Sequence, residues 1–389
     1  MRLSRRAEGL AESATMRVTR KAAELRAAGR EIIDWSAGQP DFGSPAVAVE
    51  AAKRALDEGF TRYTAAAGIP DLRSALAEHY SRQHGVDWSL DNVLVTVGGK
   101  AALFELMMAL IDEGDSAVLS SPCWVSFPEQ IRFAGGRPVL VPTAANEGFA
   151  IRAEPLLEAI DDTTRLVLLN SPSNPTGGIV GAEELRRIVE YCAERGIVVL
   201  SDETYERFLF GGEEHASAGS LAAEFPETVI VVGSFSKTYA MTGWRIGFAL
   251  ADAALIRKTA AVQSHATSNA TSFAMRGALA ALQGAEDDVR QMLEAFERRR
   301  DFLVSGLERL PGVRCVTPPG AFYAFPNVAA CYRDGRRGSI ELAEYLLEEA
   351  GVAIVPGIAF GADDHIRISF ACSRQELESG LERLATALA

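Results

Sequence analysis

Short apolar runs alternate with helical patterns through the middle of the chain, and this alternation constrains the fold more than any other feature. The runs fall at 93–97, 117–119, 166–169, 197–200, 229–232 and 246–250. Helical patterns at 100–111, 182–195 and 252–263 lie between them. Strands separated by helices predict an α/β domain with a mostly parallel sheet covered on both faces. In such sheets ligands bind beyond the carboxyl ends of the strands, so the residues just after each run deserve the closest reading. After Gly284 the pattern changes. A charged helix is predicted over 287–310, closed by Pro311-Gly312, and short strands then alternate with two more helices. The expected division is an N-terminal arm with part of a small domain (1–44), a large domain (45–290) and a small α+β domain (291–389).

Composition removes several function classes. A net charge of −13 on 389 residues argues against nucleic acid, whose phosphates need a basic face. No apolar run approaches the roughly 18 residues that cross a bilayer. The first thirty residues are rich in arginine but also hold Glu8, Glu12 and Glu24 and no apolar signal core, which suits an arm of the fold better than a targeting peptide. Cys123, Cys192, Cys315, Cys331 and Cys372 are scattered without CxxC spacing, as expected for reduced thiols in a cytoplasmic protein. The five histidines form no metal-binding pattern, so no metal is expected.

The chemistry-bearing residues follow the predicted strands. Lys237 stands in Ser234-Phe235-Ser236-Lys237-Thr238, just past the run 229–232, with Arg245 eight residues on. A lysine in a turn is ordinarily a surface residue. Here its amine, flanked by hydroxyls and a guanidinium, suits a Schiff base with an aldehyde cofactor bearing a phosphate, which is pyridoxal 5'-phosphate (PLP). Asp202 follows the run 197–200; buried there, it needs a cation, and a pyridine nitrogen is one. Tyr205, three residues on, is placed to donate to a phenolic oxygen. By itself Asp202 reads better as a helix N-cap. Asn174 precedes a proline in the turn after 166–169, which biases it toward extended backbone; Asn-Pro-x-Gly also occurs in inert turns. Gly98-Gly99-Lys100-Ala101 joins a strand to a helix whose first N–H groups can cradle a phosphate, although glycines are common at such corners. Arg367 alternates with apolar residues on a late strand, where it meets a carboxylate, either a substrate's or one of the protein's own.

Together these residues resemble the fold-type I PLP enzymes, specifically the class I/II aminotransferases, and most nearly the bacterial aspartate aminotransferase subgroup Iγ. The resemblance spans essentially the whole chain, from Leu3-Ser4-Arg5-Arg6 and Ser36-Ala37-Gly38-Gln39-Pro40, through Tyr63-Thr64 and Pro122-Cys123-Trp124, to Gly320-Ala321-Phe322-Tyr323 and Arg367. Its most specific part is Lys237 with Met241-Thr242-Gly243-Trp244-Arg245. It implies that Lys237 is the Schiff-base lysine and then the proton carrier. Asp202 pairs with the pyridine nitrogen, and Tyr205 and Asn174 hold the phenolic oxygen. Trp124 stacks on the ring. The amides of Gly99, Lys100 and Ala101, with Ser234, Arg245 and a Tyr63 from the neighbouring subunit, take the phosphate, which implies a homodimer. Arg367 and the backbone of Gly38 meet the substrate α-carboxylate, and the small domain closes over it.

Substrate choice is read from one position. Residues 263–271 hold no arginine to read a distal carboxylate, as some aspartate aminotransferases do. Subgroup Iγ uses a lysine in the glycine corner, and Lys100 stands there, with Thr15 and Ser13 as helpers. The expectation is transfer from aspartate or glutamate to a 2-oxo acid such as 2-oxoglutarate. A β-lyase, decarboxylase, cyclase, or an aromatic, prephenate or alanine aminotransferase shares most of the kit. A non-catalytic effector-binding module would need an added DNA-binding domain, and the sequence offers none.

Overall fold

A computed structural model describes residues 2–4, 8, 14–333, 335 and 337–389. Arg5, Arg6, Glu12 and Ser13 lie outside the described residues, as does the side chain of Thr15. The N-terminal part carries α1 (Ala14–Ala27), β1 (Ile33–Asp34), α2 (Ala46–Asp57) and α3 (Pro70–His84). Next come β2 (Val93–Thr96), α4 (Gly99–Leu110), β3 (Ser116–Ser121), α5 (Ser126–Ala134), β4 (Arg137–Pro142) and α6 (Ala153–Glu158). They are followed by β5 (Thr164–Asn170), α7 (Ala182–Ala193), β6 (Val198–Asp202), β7 (Val229–Ser234) and the single turn α8 (Phe235–Thr238). β8 (Gly247–Leu250), α9 (Ala253–Ala266), α10 (Ser272–Gly284) and α11 (Glu286–Leu307) lead to the C-terminal part. That part holds β9 (Tyr323–Ala324), α12 (Ser339–Glu348), β10 (Val352–Ala353), β11 (Val355–Pro356), β12 (Ile366–Ser369) and α13 (Arg374–Leu388).

Seven strands form one sheet in the order β2-β8-β7-β6-β5-β3-β4. The fold is the α/β class expected. β8 runs antiparallel to both neighbours, and the remaining pairings are parallel. The continuous apolar runs follow from covering on both faces: Leu166 and Leu168 join Leu94, Leu119 and Ile230 on one side, while Val167 and Leu169 join Val95, Val118 and Val231 on the other. Each such buried side chain contributes about 1.5–3 kcal/mol. One strand escaped the reading of the sequence. β4 pairs only with β3, and its Arg-Pro-Val-Leu-Val-Pro stretch has two prolines that an edge strand tolerates and a central one does not.

After α10 the architecture changes to a three-stranded antiparallel sheet, β11-β12-β9, and a parallel pair, β1-β10. Trp35, Phe296, Phe322 and Phe370 fill its core, with Phe296 and Phe322 stacked at 5.5 Å. α13 carries a glycine where Trp35 lies, because a Cβ on Gly380 would come within 2.1 Å of the indole. The N-terminal segment is part of this body: Ala22 of α1 and Ile32 meet Leu347 and Ala353. One charge in the large sheet's helical cover is out of place. Glu105 on α4 is buried, its Oε2 has no hydrogen-bond partner among the described residues, and burial pushes its carboxyl up to about 7.

Candidate active site

The carboxyl ends of β2, β5, β6 and β7 meet at one edge of the large sheet. Because β8 runs the other way, the segment before it arrives at the same edge. Gly247 at the start of β8 lies opposite both Thr96 and Ser234. A Cβ on Gly247 would sit 2.2 Å from the amide nitrogen of Gly99, so only glycine lets β8 begin against the β2–α4 corner. Gly98 has φ +81°, and a side chain there would meet the Arg245 guanidinium at 2.3 Å. Arg245 itself holds φ 57°, a conformation uncommon for a residue with a side chain, and is tethered by Nη1 to the Thr242 carbonyl at 2.9 Å. The result sets a guanidinium beside the free amides of a helix N-terminus, a cradle for a phosphate.

Ser234 ends β7 and accepts the Ser236 amide at 3.1 Å, which starts the single turn α8 and turns Lys237 into the cavity. The Lys237 amine donates to the carbonyl of Gly38. Burial, with the charges of Arg367 and Arg245, lowers it to about 8 against the opposing pull of Asp202. Asp202 ends β6, and its carboxylate accepts the Thr204 amide at 3.1 Å. Burial raises it to about 6; the Thr204 hydrogen bonds and Lys237 oppose that rise, and the neighbouring charge of Glu203 adds to it. Asn170, which the sequence reading passed over, ties the two turns together: it donates to the Asp202 carbonyl at 3.1 Å and accepts the Asn174 amide at 2.9 Å.

Arg367 reaches this edge from β12. It donates to Oδ1 of Asn174 at 3.1 Å and to the carbonyl of Ser36 at 2.8 Å, and its buried Nε has no partner among the described residues. Both partners in hand are neutral, so the alternative of an internal salt bridge is not what the fold builds. Across the cavity the Lys100 amine rests 4.7 Å over the Trp124 ring, its pKa lowered by burial and by Arg245.

Gly38, Gly99, Lys100, Trp124, Asn174, Asp202, Tyr205, Ser234, Lys237, Arg245 and Arg367 all line one cavity of about 820 Å³. Ala101 does not line it, nor does Tyr63, 87% of whose surface is exposed. The cavity also takes in Asn170, Thr204, Ser236, Ser126, Glu129, Gln130 and Tyr323. The signal for Asn170 was its place at a strand end; Tyr323 stood in a motif already singled out. The set fits PLP. A buried carboxylate faces the cavity without a cationic hydrogen-bond partner, a lysine lowered to about 8 shares it, and a cradle too tight for a Cβ opens on the same space.

A second polar cluster lies behind Asp202. Ligand atoms of Glu203, Glu206 and His215 fall within 4.8 Å of one another. Their oxygens are already engaged. Glu203 accepts from Ser201 Oγ at 2.8 Å, the Ala218 amide at 3.0 Å and His215 at 2.8 Å. Glu206 accepts from Tyr80 at 2.5 Å and Gln83 at 3.2 Å. This is a satisfied buried network.

Comparison with known proteins agrees across the full length. Residues 30–384 match the family model described as aminotransferase class I and II. The chain is 43% identical over 385 residues to the aspartate aminotransferase of Geobacillus stearothermophilus, covering 99% of this chain and 98% of that one. It is likewise 43% identical over 389 residues to the aspartate/prephenate aminotransferase of Thermus thermophilus, covering 99% and 98%. It superposes on the structure of the Thermus thermophilus aspartate aminotransferase with maleate at a TM-score of 0.94, with 42% identity and all of both chains covered.

Proposed function

The chain belongs to the class I and II aminotransferases, and from that premise we propose that it moves an amino group from an L-amino acid, aspartate or glutamate first, to a 2-oxo acid such as 2-oxoglutarate. The cycle is ping-pong and uses PLP. One observation carries the reading: Lys237 and Asp202, each displaced toward neutrality by burial, share a cavity with an arginine that has no carboxylate of its own.

When bound, the cofactor supplies an aldehyde for the substrate amine and a ring that withdraws electrons from the carbon bearing it. The amides of Gly99 and Lys100, with Ser234 and Arg245, would hold its phosphate, whereas the Ala101 amide already donates to the Gly98 carbonyl at 3.0 Å. Asp202 keeps a proton on the ring nitrogen, and burial makes its carboxylate depend on that cation. Tyr205 and Asn174 would donate to the phenolic oxygen, and Trp124 would pack against the ring. Lys237 holds the cofactor and, once displaced, takes the substrate α-proton on Nζ; an amine with a pKa of about 8 is a competent base near neutral pH. Arg367 forks onto the α-carboxylate, beside the backbone of Gly38, and its unpartnered Nε marks the spare donor. Lys100 reads the side-chain carboxylate from the cavity rim.

Assembly belongs to the same reading. Tyr63 is exposed and lies outside its own cavity, which suits a homodimer in which it completes the partner's phosphate site. The arm (1–44) and residues 291–389 act as a small domain that closes on 45–290, since Arg367 and Tyr323 come from the former and Lys237 and Asp202 from the latter. Among the described residues no helix is long and apolar enough to cross a membrane. The five cysteines are buried and scattered, in keeping with a cytoplasmic enzyme.

The visible spectrum with PLP tests the proposal. A yellow band is expected that bleaches with aspartate or glutamate and returns with 2-oxoglutarate. No band would overturn Lys237 as the cofactor lysine. Equal losses of aspartate and alanine turnover in Lys100→Ala would remove Lys100 as the side-chain reader. Prephenate belongs in the acceptor panel, because the cavity continues past Lys100 to the aromatic wall of Phe104 and Phe133.

A further inference from the structure

We infer that Tyr323 is a positioning residue that acts on the cofactor through Tyr205 and ties that contact to the carboxylate-binding Arg367. The inference rests on the function proposed above and goes beyond it.

Tyr323 lies on β9, paired with Ser369 two residues past Arg367 on β12. It is buried, lines the cavity, and sets its hydroxyl 2.8 Å from that of Tyr205. The Arg367 guanidinium sits 4.4 Å over its ring. A Cβ on Gly38 would come within 3.1 Å of the Tyr323 oxygen, so the same hydroxyl abuts the loop whose carbonyl receives the Lys237 amine. One side chain thus touches the elements that bring the carboxylate site, the lysine's anchor and the phenolic donor together.

The direction of the hydrogen bond follows from what each hydroxyl can reach. In the protein alone, each has the other as its hydrogen-bond partner, and either can donate. Where Tyr205 donates its hydrogen bond to the cofactor's phenolic oxygen, its own oxygen remains as an acceptor and Tyr323 must donate. The guanidinium over the Tyr323 ring favours that role, because a nearby cation makes a phenol a better donor. A hydrogen bond received by Tyr205 strengthens the one it gives, so the phenolic oxygen carries negative charge more readily. A substrate carboxylate that neutralises Arg367 relaxes this chain. Occupancy of the carboxylate site is thereby passed to the cofactor.

The test is a pH titration of the visible band of cofactor-loaded enzyme, in wild type, Tyr323→Phe, Tyr205→Phe and the double variant. Tyr323→Phe removes one oxygen and keeps the ring, so packing is retained. Its midpoint is expected to rise by about 0.5 pH unit, because the phenolic oxygen loses support for its negative charge. In the Tyr205→Phe background the same change is expected to do nothing further. The shift of the midpoint caused by succinate, an unreactive dicarboxylate, is expected to shrink in Tyr323→Phe. An unchanged or lowered midpoint, or an equal rise in both backgrounds, overturns action through Tyr205. An undiminished succinate shift overturns the link to Arg367. Failure of the wild type to form any band would instead sink the function itself, a separate result.

Discussion

Asp202 and Glu203 are consecutive residues at the end of β6, and both are buried, yet their carboxylates face different surroundings. Asp202 opens on the cavity with one backbone donor and is raised to about 6. Glu203 turns behind the sheet. There burial also works to raise it, but the charge and hydrogen bond of His215, with help from His84 and Ser217, outweigh burial and hold it below the ordinary carboxylate range. The network continues outward in one sense: Trp88 donates its indole proton to Nδ1 of His84 at 3.2 Å, which leaves Nε2 to face Ser217 at 3.0 Å. The same contrast separates Arg367, with neutral partners and an idle Nε, from Arg299, which forks onto Asp41 at 2.7 and 3.0 Å. Groups the fold leaves short of partners are those with capacity for a ligand; groups it satisfies hold the scaffold still.

Breaking the satisfied side is expected to have the largest effect on stability. Glu203→Ala leaves His215 and two other donors, Ser201 and the Ala218 amide, without their acceptor and should cost about 3–5 kcal/mol in denaturant unfolding. Should stability hold while the cofactor band moves, the two sides are not separable in this way. On the open side, Arg367→Lys keeps the charge and loses the planar fork. A fall of about 10²-fold in kcat/KM for aspartate is expected, with the cofactor band unaltered; a loss of the band instead would mean that Arg367 serves the scaffold. Capture of PLP by the cofactor-free protein, followed by stopped-flow absorbance, should climb with pH through about 8 rather than through the ordinary lysine value of 10.5. A rise at the ordinary value would show that burial does not reach the Lys237 amine.

Glu105 supplies the smallest and sharpest test, because it is unsatisfied yet outside the cavity. Its folded-state pKa of about 7 lies above the unfolded value of 4.5, so the folded protein holds a proton that the unfolded chain releases. Stability from this group is present in acid and lost as pH rises from about 4.5 through about 7. Glu105→Gln should therefore stabilise the protein by about 1 kcal/mol at pH 8 and by almost nothing at pH 4. A gain equal at both would assign the effect to packing.

Much of the site was legible along the chain because each member of it follows a strand. Lys237, Asp202, Asn174 and Gly99 sit two to five residues beyond an apolar run, and period and turn chemistry mark those places locally. Three things depended on distant partners. β4 carries prolines that read as a turn until its edge position is known. Asn170 looks like the last residue of a strand until its amide is seen to bridge two turns. Tyr323 sat in plain view, but 118 residues separate it from the hydroxyl it meets.

The alternation of strands and helices, their order, and the kit of lysine, aspartate, asparagine and arginines were determined by the sequence alone, since periodicity and turn preference act over a few residues. Tertiary structure decided which of those charges stay under-partnered. It ran β8 antiparallel and so brought Arg245 to the Gly98 corner, set Tyr323 beneath Arg367, and sent the carboxylates of Asp202 and Glu203 to opposite sides of one strand end. The reason is physical. Burial and partner supply set a group's chemistry, and both depend on segments far apart in the chain that only the completed fold brings together.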